Sequence, residues 1–280
     1  MTDRTWIWIA AACYLVGVVI GTVALMRHRK QPAGTIYLFV AIGFALQTVG
    51  LYIRGLEVGG CPLGNTFELF QFTAWSATAL YLVVGATFRL SLLGYFTSLL
   101  SIVLSIVSLS IPAWDATHRS NVFGGNVWIE FHAALALFSY GVFALLALTS
   151  IMFLLRNYSL KNKQLSGAFA FLPSIRDLDS ISVRLLNVGV VLLSASLLVG
   201  SAHWIRAIDT VNLAKLLITV AIWFAYGGAF ILRRQGKLYG KNLAWICIGL
   251  FAAALISVYP VNSSRRGDEL PPVPPLSNRE

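Results

Sequence analysis

Two of the four histidines in this 280-residue chain fall where apolar runs begin or end, and a third lies in a connecting loop. His132 opens the run "FHAALALFSYGVFALLALTSIMFLL", His203 closes another within "LLVGSAHWIR", and His118 lies in the stretch leading to His132. The fourth, His28 in "MRHRK", belongs to a basic cluster. Imidazole is a ready ligand for a metal or a haem iron. At the same ends of two neighbouring helices, His132 and His203 would grip an iron from opposite faces. A plainer reading stands beside this one, because histidine is tolerated at a membrane interface without holding anything.

The neighbouring residue types extend the first reading. Trp114, Trp128 and Trp204 lie close to these histidines, and a porphyrin needs flat apolar walls. Tryptophan belts also form at any membrane interface. Arg119, Arg206 and Lys215 lie on the side where cationic partners for propionates are required. Lys215 stands just inside an apolar segment, where a charge is costly unless it snorkels or is paired. In "GNTFELFQFTAW", Glu68 and Gln71 are three residues apart and share a helical face. The Glu68 carboxylate has three available roles: pairing with a cation or relaying protons, remaining solvated near a helix end, or staying neutral if deep.

Other chemistries find no support. The cysteines Cys13, Cys61 and Cys247 are scattered, without a CxxC pair or a CxxCH haem-attachment motif. Cys61, in the loop "GLEVGGCPLGN", reads as a free thiol with no catalytic role. There is no nucleophile–base arrangement, phosphate loop or zinc-type spacing, which argues against hydrolysis and phosphoryl transfer.

The elements that must position these residues are membrane helices. The chain is 58% hydrophobic and only 11% charged, well below the roughly one-quarter charged residues of a soluble domain. Crossing a bilayer takes about 20 apolar residues. Such runs occur near 6–26, 34–53, 66–88, 91–111, 128–155, 185–205, 212–232 and 242–259. The expected fold is an all-α polytopic bundle of about eight helices, with a tight hairpin at Arg89. The net charge of +10 does not imply a nucleic-acid partner, because the basic residues cluster between apolar spans. One side collects Arg27, Arg29, Lys30, Arg89, Arg156, Lys161, Lys163, Arg176, Arg184, Arg233, Arg234, Lys237 and Lys241. The other carries fewer, namely Arg4, Arg54, Arg119, Arg206, Lys215 and, in the tail, Arg265, Arg266 and Arg279. The richer side is expected to be cytoplasmic, which places both termini on the outer, periplasmic side of a bacterial inner membrane. Within the long inner connection, "FLPSIRDLDSISVRLL" is expected to form a short amphipathic helix at the interface. Residues 1–262 read as one transmembrane domain, and 263–280 as a Pro-rich polar tail, disordered or polyproline-like.

Several stretches together resemble the cytochrome c assembly protein family, with its CcsA-, CcmC- and HemX/YpjD-like branches. They are "PLGNTFELFQFTAWSATALYLVVG", "WIEFHAALALFSYGVFALLALTSIMFLL", "FLPSIRDLDSISVRLLNVGVVLLSASLLVGS" and "KLLITVAIWFAYG". The resemblance is collinear over roughly residues 36–262. His132 and Tyr140 match the family's histidine and tyrosine on one helix, and Lys215 and Trp223 match a later helix. The chain departs from the pattern in "HWIRAIDTVNLAKLL", which lacks the Trp-Asp-Pro core preceding the lysine. It also has no second outer histidine near "ISVYPVNSSRRGDEL". Of the family's ligands the resemblance carries over only His132, and His203 as a second ligand is an inference from topology.

The resemblance implies non-covalent binding of haem b at the outer face, for cytochrome c maturation. His132 would be the axial ligand, Trp128 and Trp204 the porphyrin walls, and Arg206 and Lys215 the propionate partners. Other maturation proteins and apocytochrome c would be its partners, in a haem lyase or synthetase of which this chain is one component. Two alternatives remain: a HemX-like membrane regulator or scaffold of haem synthesis, and a small-solute transporter using Glu68 and Lys215.

Overall fold

The computed structural model describes residues 2–27, 29, 31–88, 91–116, 126–163, 172–204 and 213–263. Among these residues the chain forms eight α-helices and no strand. They are α1 (Asp3–Met26), α2 (Ala33–Val58), α3 (Thr66–Phe88), α4 (Ser91–Ser110), α5 (Val127–Lys161), α6 (Ile175–Trp204), α7 (Leu213–Arg234) and α8 (Gly240–Ser263). A 3₁₀ turn at Pro112–Trp114 follows α4. Six of the helices are long and apolar enough to cross a membrane by length and composition. The chain is therefore a multi-pass membrane protein, and apolar side chains left exposed, such as Leu15, Val19, Leu56 and Phe224, face lipid. The tight turn at Arg89, His28 and the tail beyond Ser263 lie outside the described residues.

The helices form two packed halves, α1–α4 and α5–α8, joined mainly where α3 meets α5. Helix α5 is the interior element: every residue from Gly141 to Ser150 is buried. The α3–α5 contact is backbone-close, because a Cβ on Gly141 would run into Ser76 Oγ and lie 2.8 Å from the Ala77 amide nitrogen. Only glycine permits that approach, which is how small residues let membrane helices associate. In the second half, Phe143 stacks flat on Tyr226 at 3.6 Å between centroids. The Trp223 indole donates to Ser194 Oγ, tying α7 to α6.

Two segments differ from their expected form. The stretch beginning at Ile175 is the first part of α6, not a separate interfacial helix. Ser174 Oγ accepts from the Asp177 amide at 3.1 Å and bonds its carboxylate at 2.6 Å, so a side-chain cap starts the helix there. Arg54, counted above among loop charges, lies within α2 and is 1% exposed. Helix α2 runs past the apolar run until Gly59, whose φ of 70° ends it in the left-handed conformation.

Inside the bundle, carboxylates from three other elements surround Arg54. Its Nη1 lies 3.1 Å from Asp3 Oδ2 of α1, and its Nε 3.0 Å from Glu68 Oε1 of α3. Its Nη2 meets Asp115 Oδ1 after the 3₁₀ turn. Arg4 bonds the other Asp115 oxygen at 3.0 Å, and both guanidiniums lie over the Phe67 ring. Of the three roles open to Glu68, the structure selects pairing with a cation.

The same carboxylate completes a capping box at the start of α3. Asn65 Oδ1 accepts the Glu68 amide at 2.8 Å, while Glu68 Oε2 accepts the amides of Asn65 and Gly64. One turn deeper, a buried amide–hydroxyl relay continues the pairing. Tyr14 donates to Gln47, Gln47 to Gln71, and Gln71 to Ser108, each at 2.8 Å, linking all four helices of this half. Gln47, Gln71 and Ser108 are all buried, so these polar groups are satisfied inside the bundle.

Removing the central cation takes away the guanidinium that Asp3, Glu68 and Asp115 share. Arg54→Met is therefore expected to destabilise the protein by about 3–5 kcal/mol, and Glu68→Gln, which keeps the shape, by less. Thermal unfolding of the detergent-solubilised variants, followed by tryptophan fluorescence, checks this order.

Candidate functional site

The end of the bundle that carries the Arg54 cluster also carries His132. Helix α5 begins there because Asn126 caps it, its side-chain oxygen accepting the Trp128 amide at 3.0 Å. The first two turns bring Trp128, Glu130, Phe131 and His132 to the mouth of the interior helix. Trp128 is 71% exposed and Phe131 50% exposed, so both present apolar faces outward. Glu130 turns the other way, toward the loop between α2 and α3. A Cβ on Gly60 would sit 2.7 Å from its Oε1, so that loop packs directly on the first turn of α5.

His132 is half-buried against α6, and its orientation is set by backbone groups. Nδ1 lies 2.6 Å from the Ser196 carbonyl oxygen. A carbonyl only accepts, so Nδ1 carries the proton and donates it, and the ring lone pair is on Nε2. The Ser196 hydroxyl reinforces this arrangement. It donates to the His132 carbonyl at 2.9 Å and lies 3.0 Å from Nδ1. One turn along α6, Gly200 makes room for the ring, since a Cβ there would lie 2.7 Å from His132 Cε1 and 3.2 Å from Nε2. An imidazole whose Nδ1–H is held by a carbonyl has the tautomer and fixed plane that a metal-ligating histidine uses. On that ground the residues present at His132 fit an axial haem ligand.

The remaining expected residues are placed less completely. His203 and Trp204 belong to the last turn of α6, and Lys215 to the first turn of α7. The side chains of these three residues, together with His118, Arg119 and Arg206, lie outside the described residues. The structure thus brings His132 onto the end of α6 that leads to His203 and Trp204. Tyr140 lies two turns deeper on α5, half-buried. Among the described residues no group of three or more His, Cys, Asp or Glu side chains forms a metal cluster.

Some residues at this end were not singled out by their type alone. Ser196 and Gly200 are ordinary small residues of an apolar helix, and only packing reveals their contact with His132. Asp3 and Asp115 are remote in sequence from the Glu68 they join. A signal for Glu68 was nonetheless present, since Asn65-x-x-Glu68 before an apolar run is a capping-box pattern. Cys61 is a partly buried free thiol. Burial, with the Glu130 and Glu68 carboxylates, pushes its pKa up to about 11.

The bundle and its buried polar end define a polytopic, all-helical membrane protein. Residues 63–267 match the family described as cytochrome c assembly protein, and the chain belongs to that family. It is 24% identical to Protein HemX of Bacillus subtilis, over 89% of this chain and 91% of that protein. It is 25% identical to Protein HemX of Brevibacillus brevis, over 71% and 74% respectively. The cytochrome c biogenesis protein CcsA of Gloeobacter violaceus is 26% identical, over 57% of this chain and 46% of that protein. This membership makes the chain a membrane protein of cytochrome c biogenesis or a related haem role.

Two outcomes follow from the packing here. Gly200→Val drives branched carbons into the imidazole and is expected to cost about 1–3 kcal/mol. Combining it with His132→Ala should restore most of that loss, which thermal melts of the single and double variants measure. Because the thiolate is the nucleophile and Cys61 is neutral well above pH 8, its alkylation at pH 8 should be roughly tenfold or more slower than that of a free thiol. Peptide-resolved mass spectrometry after timed iodoacetamide treatment reads this rate, which should climb as pH approaches 11.

Proposed function

We propose that this protein holds haem b non-covalently at the His132 end of the bundle and presents it for cytochrome c biogenesis. The observation that supports this best is the clamped imidazole: Nδ1–H on the Ser196 carbonyl, the lone pair on Nε2, and Gly200 leaving space for the ring. His132 is the axial ligand in this reading and His203 the second. Trp128 and Trp204 wall the porphyrin, and Arg206 and Lys215 meet its propionates. Bound haem b would supply the vinyl groups that become joined to apocytochrome cysteines. The work of this chain is to bind, orient and shield.

This end of the bundle faces the outer side of a bacterial inner membrane, because the lysines and arginines concentrate at the opposite end. Residues 1–262 act as one domain. The Trp-Asp-Pro core is missing from "HWIRAIDTVNLAKLL", so the chain works as one component of a haem lyase or synthetase, together with other maturation proteins and apocytochrome c.

A second reading, a membrane regulator or scaffold of haem synthesis acting by protein contact, is favoured by one observation. The similarity to Protein HemX of Bacillus subtilis runs nearly end to end, whereas the similarity to CcsA of Gloeobacter violaceus covers less than half of that protein. The transporter alternative is weaker, because Glu68 is held by Arg54 and two backbone amides.

An absorption spectrum of protein purified from haem-replete cells separates the readings. A Soret band is expected in the wild type, lost by an order of magnitude or more in His132→Ala and reduced or shifted in His203→Ala. A colourless wild type would sink the haem-binding reading and favour the regulatory one.

A further inference from the structure

At the opposite, basic end, a groove of about 660 Å³ opens between α5 and α8. Its size falls in the range of sites for small organic ligands. Along α5 it runs from Ile151 to Lys161, ten positions or about 15 Å of helix. That is about the depth of one leaflet's share of a hydrocarbon core roughly 30 Å thick. The floor is apolar, formed by residues such as Ile151, Leu155 and Ile248, and Trp245 stands at its side, 62% exposed.

The rim is different in kind. Lys161 and Lys241 come from different helices, Asn157 and Asn162 line the groove with them, and no carboxylate is among the described lining residues. Lys241 stands in the first turn of α8, where backbone amides add further attraction for an anion. Lys161 in the last turn of α5 offsets the carbonyl end of that helix.

We propose that this groove binds one anionic phospholipid, with acyl chain along the α5 floor and headgroup phosphate between Lys161 and Lys241. Charge complementarity and depth select this occupant. A soluble anion would leave the apolar floor uncovered. A zwitterionic lipid would add a cation beside two lysines. A porphyrin finds no histidine, cysteine or methionine among the lining residues. Basic recesses between membrane helices on the cytoplasmic side are where anionic headgroups are recognised, and the lysine and arginine distribution puts this end in the cytoplasmic leaflet.

The test uses the full-length protein, reconstituted in nanodiscs of phosphatidylglycerol or phosphatidylcholine and examined by native mass spectrometry after extraction. One phosphatidylglycerol should be retained about tenfold or more over phosphatidylcholine. That preference should vanish in Lys161→Gln/Lys241→Gln and persist in Lys161→Arg/Lys241→Arg. Equal retention of the two lipids, or undiminished preference in the glutamine variant, overturns the proposal. Displacement of the lipid by inorganic phosphate or by haem would also overturn it, assigning the groove to another ligand. Should the glutamine variant fail to fold, wild-type thermal stability decides, since a rise with phosphatidylglycerol alone supports the site and an equal rise with both lipids refutes it.

Discussion

A guanidinium placed inside a membrane bundle has to find its counter-charges within the protein, because the hydrocarbon core supplies none. Arg54 meets this constraint with Asp3, Glu68 and Asp115, each from a different part of the chain. The arrangement fixes more than its own charge. It pins the beginning of α1 to the end of α2, seats the capping box that starts α3, and holds the turn after α4. The loop between α2 and α3 is thereby set against Glu130, and so against the first turn of α5. Through these contacts the half of the molecule without the candidate ligand sets the frame for the half that contains it.

Helix α5 meets a second requirement, that an interior helix be apolar all round and closely approached. Its middle is enclosed on every side, and Gly141 brings it to the backbone of α3. A side chain at the end of such a helix has little freedom left, and His132 is further tied to α6 through its ring nitrogen and its own carbonyl. Rigidity at that point comes from two neighbouring helices.

Much of this was legible beforehand and some was not. Long apolar runs identified the helices, since crossing a bilayer demands a length that composition reveals directly. Their ends were less legible. Helix α2 continues through Arg54 because the charge is satisfied by partners distant in sequence, and α6 starts early because Ser174 caps it. His132 stood out as an imidazole at the mouth of an apolar run, and the resemblance singled it out further. Ser196 and Gly200 did not stand out, because a serine and a glycine in an apolar helix carry no mark of what they face. Asp3 and Asp115 carry no mark for a related reason: near a terminus or in a connecting stretch, a carboxylate reads as solvated until the fold encloses it.

The unbroken run of α6 has a mechanical side. A helix of 30 residues extends about 45 Å as a single stiff rod. One end is held to α7 through Asp179 and Arg233, and near the other lie Ser196 and Gly200. A rod pivoting within its packing moves both ends together. A change of tilt at the basic end would therefore reach the surface on which the His132 ring rests.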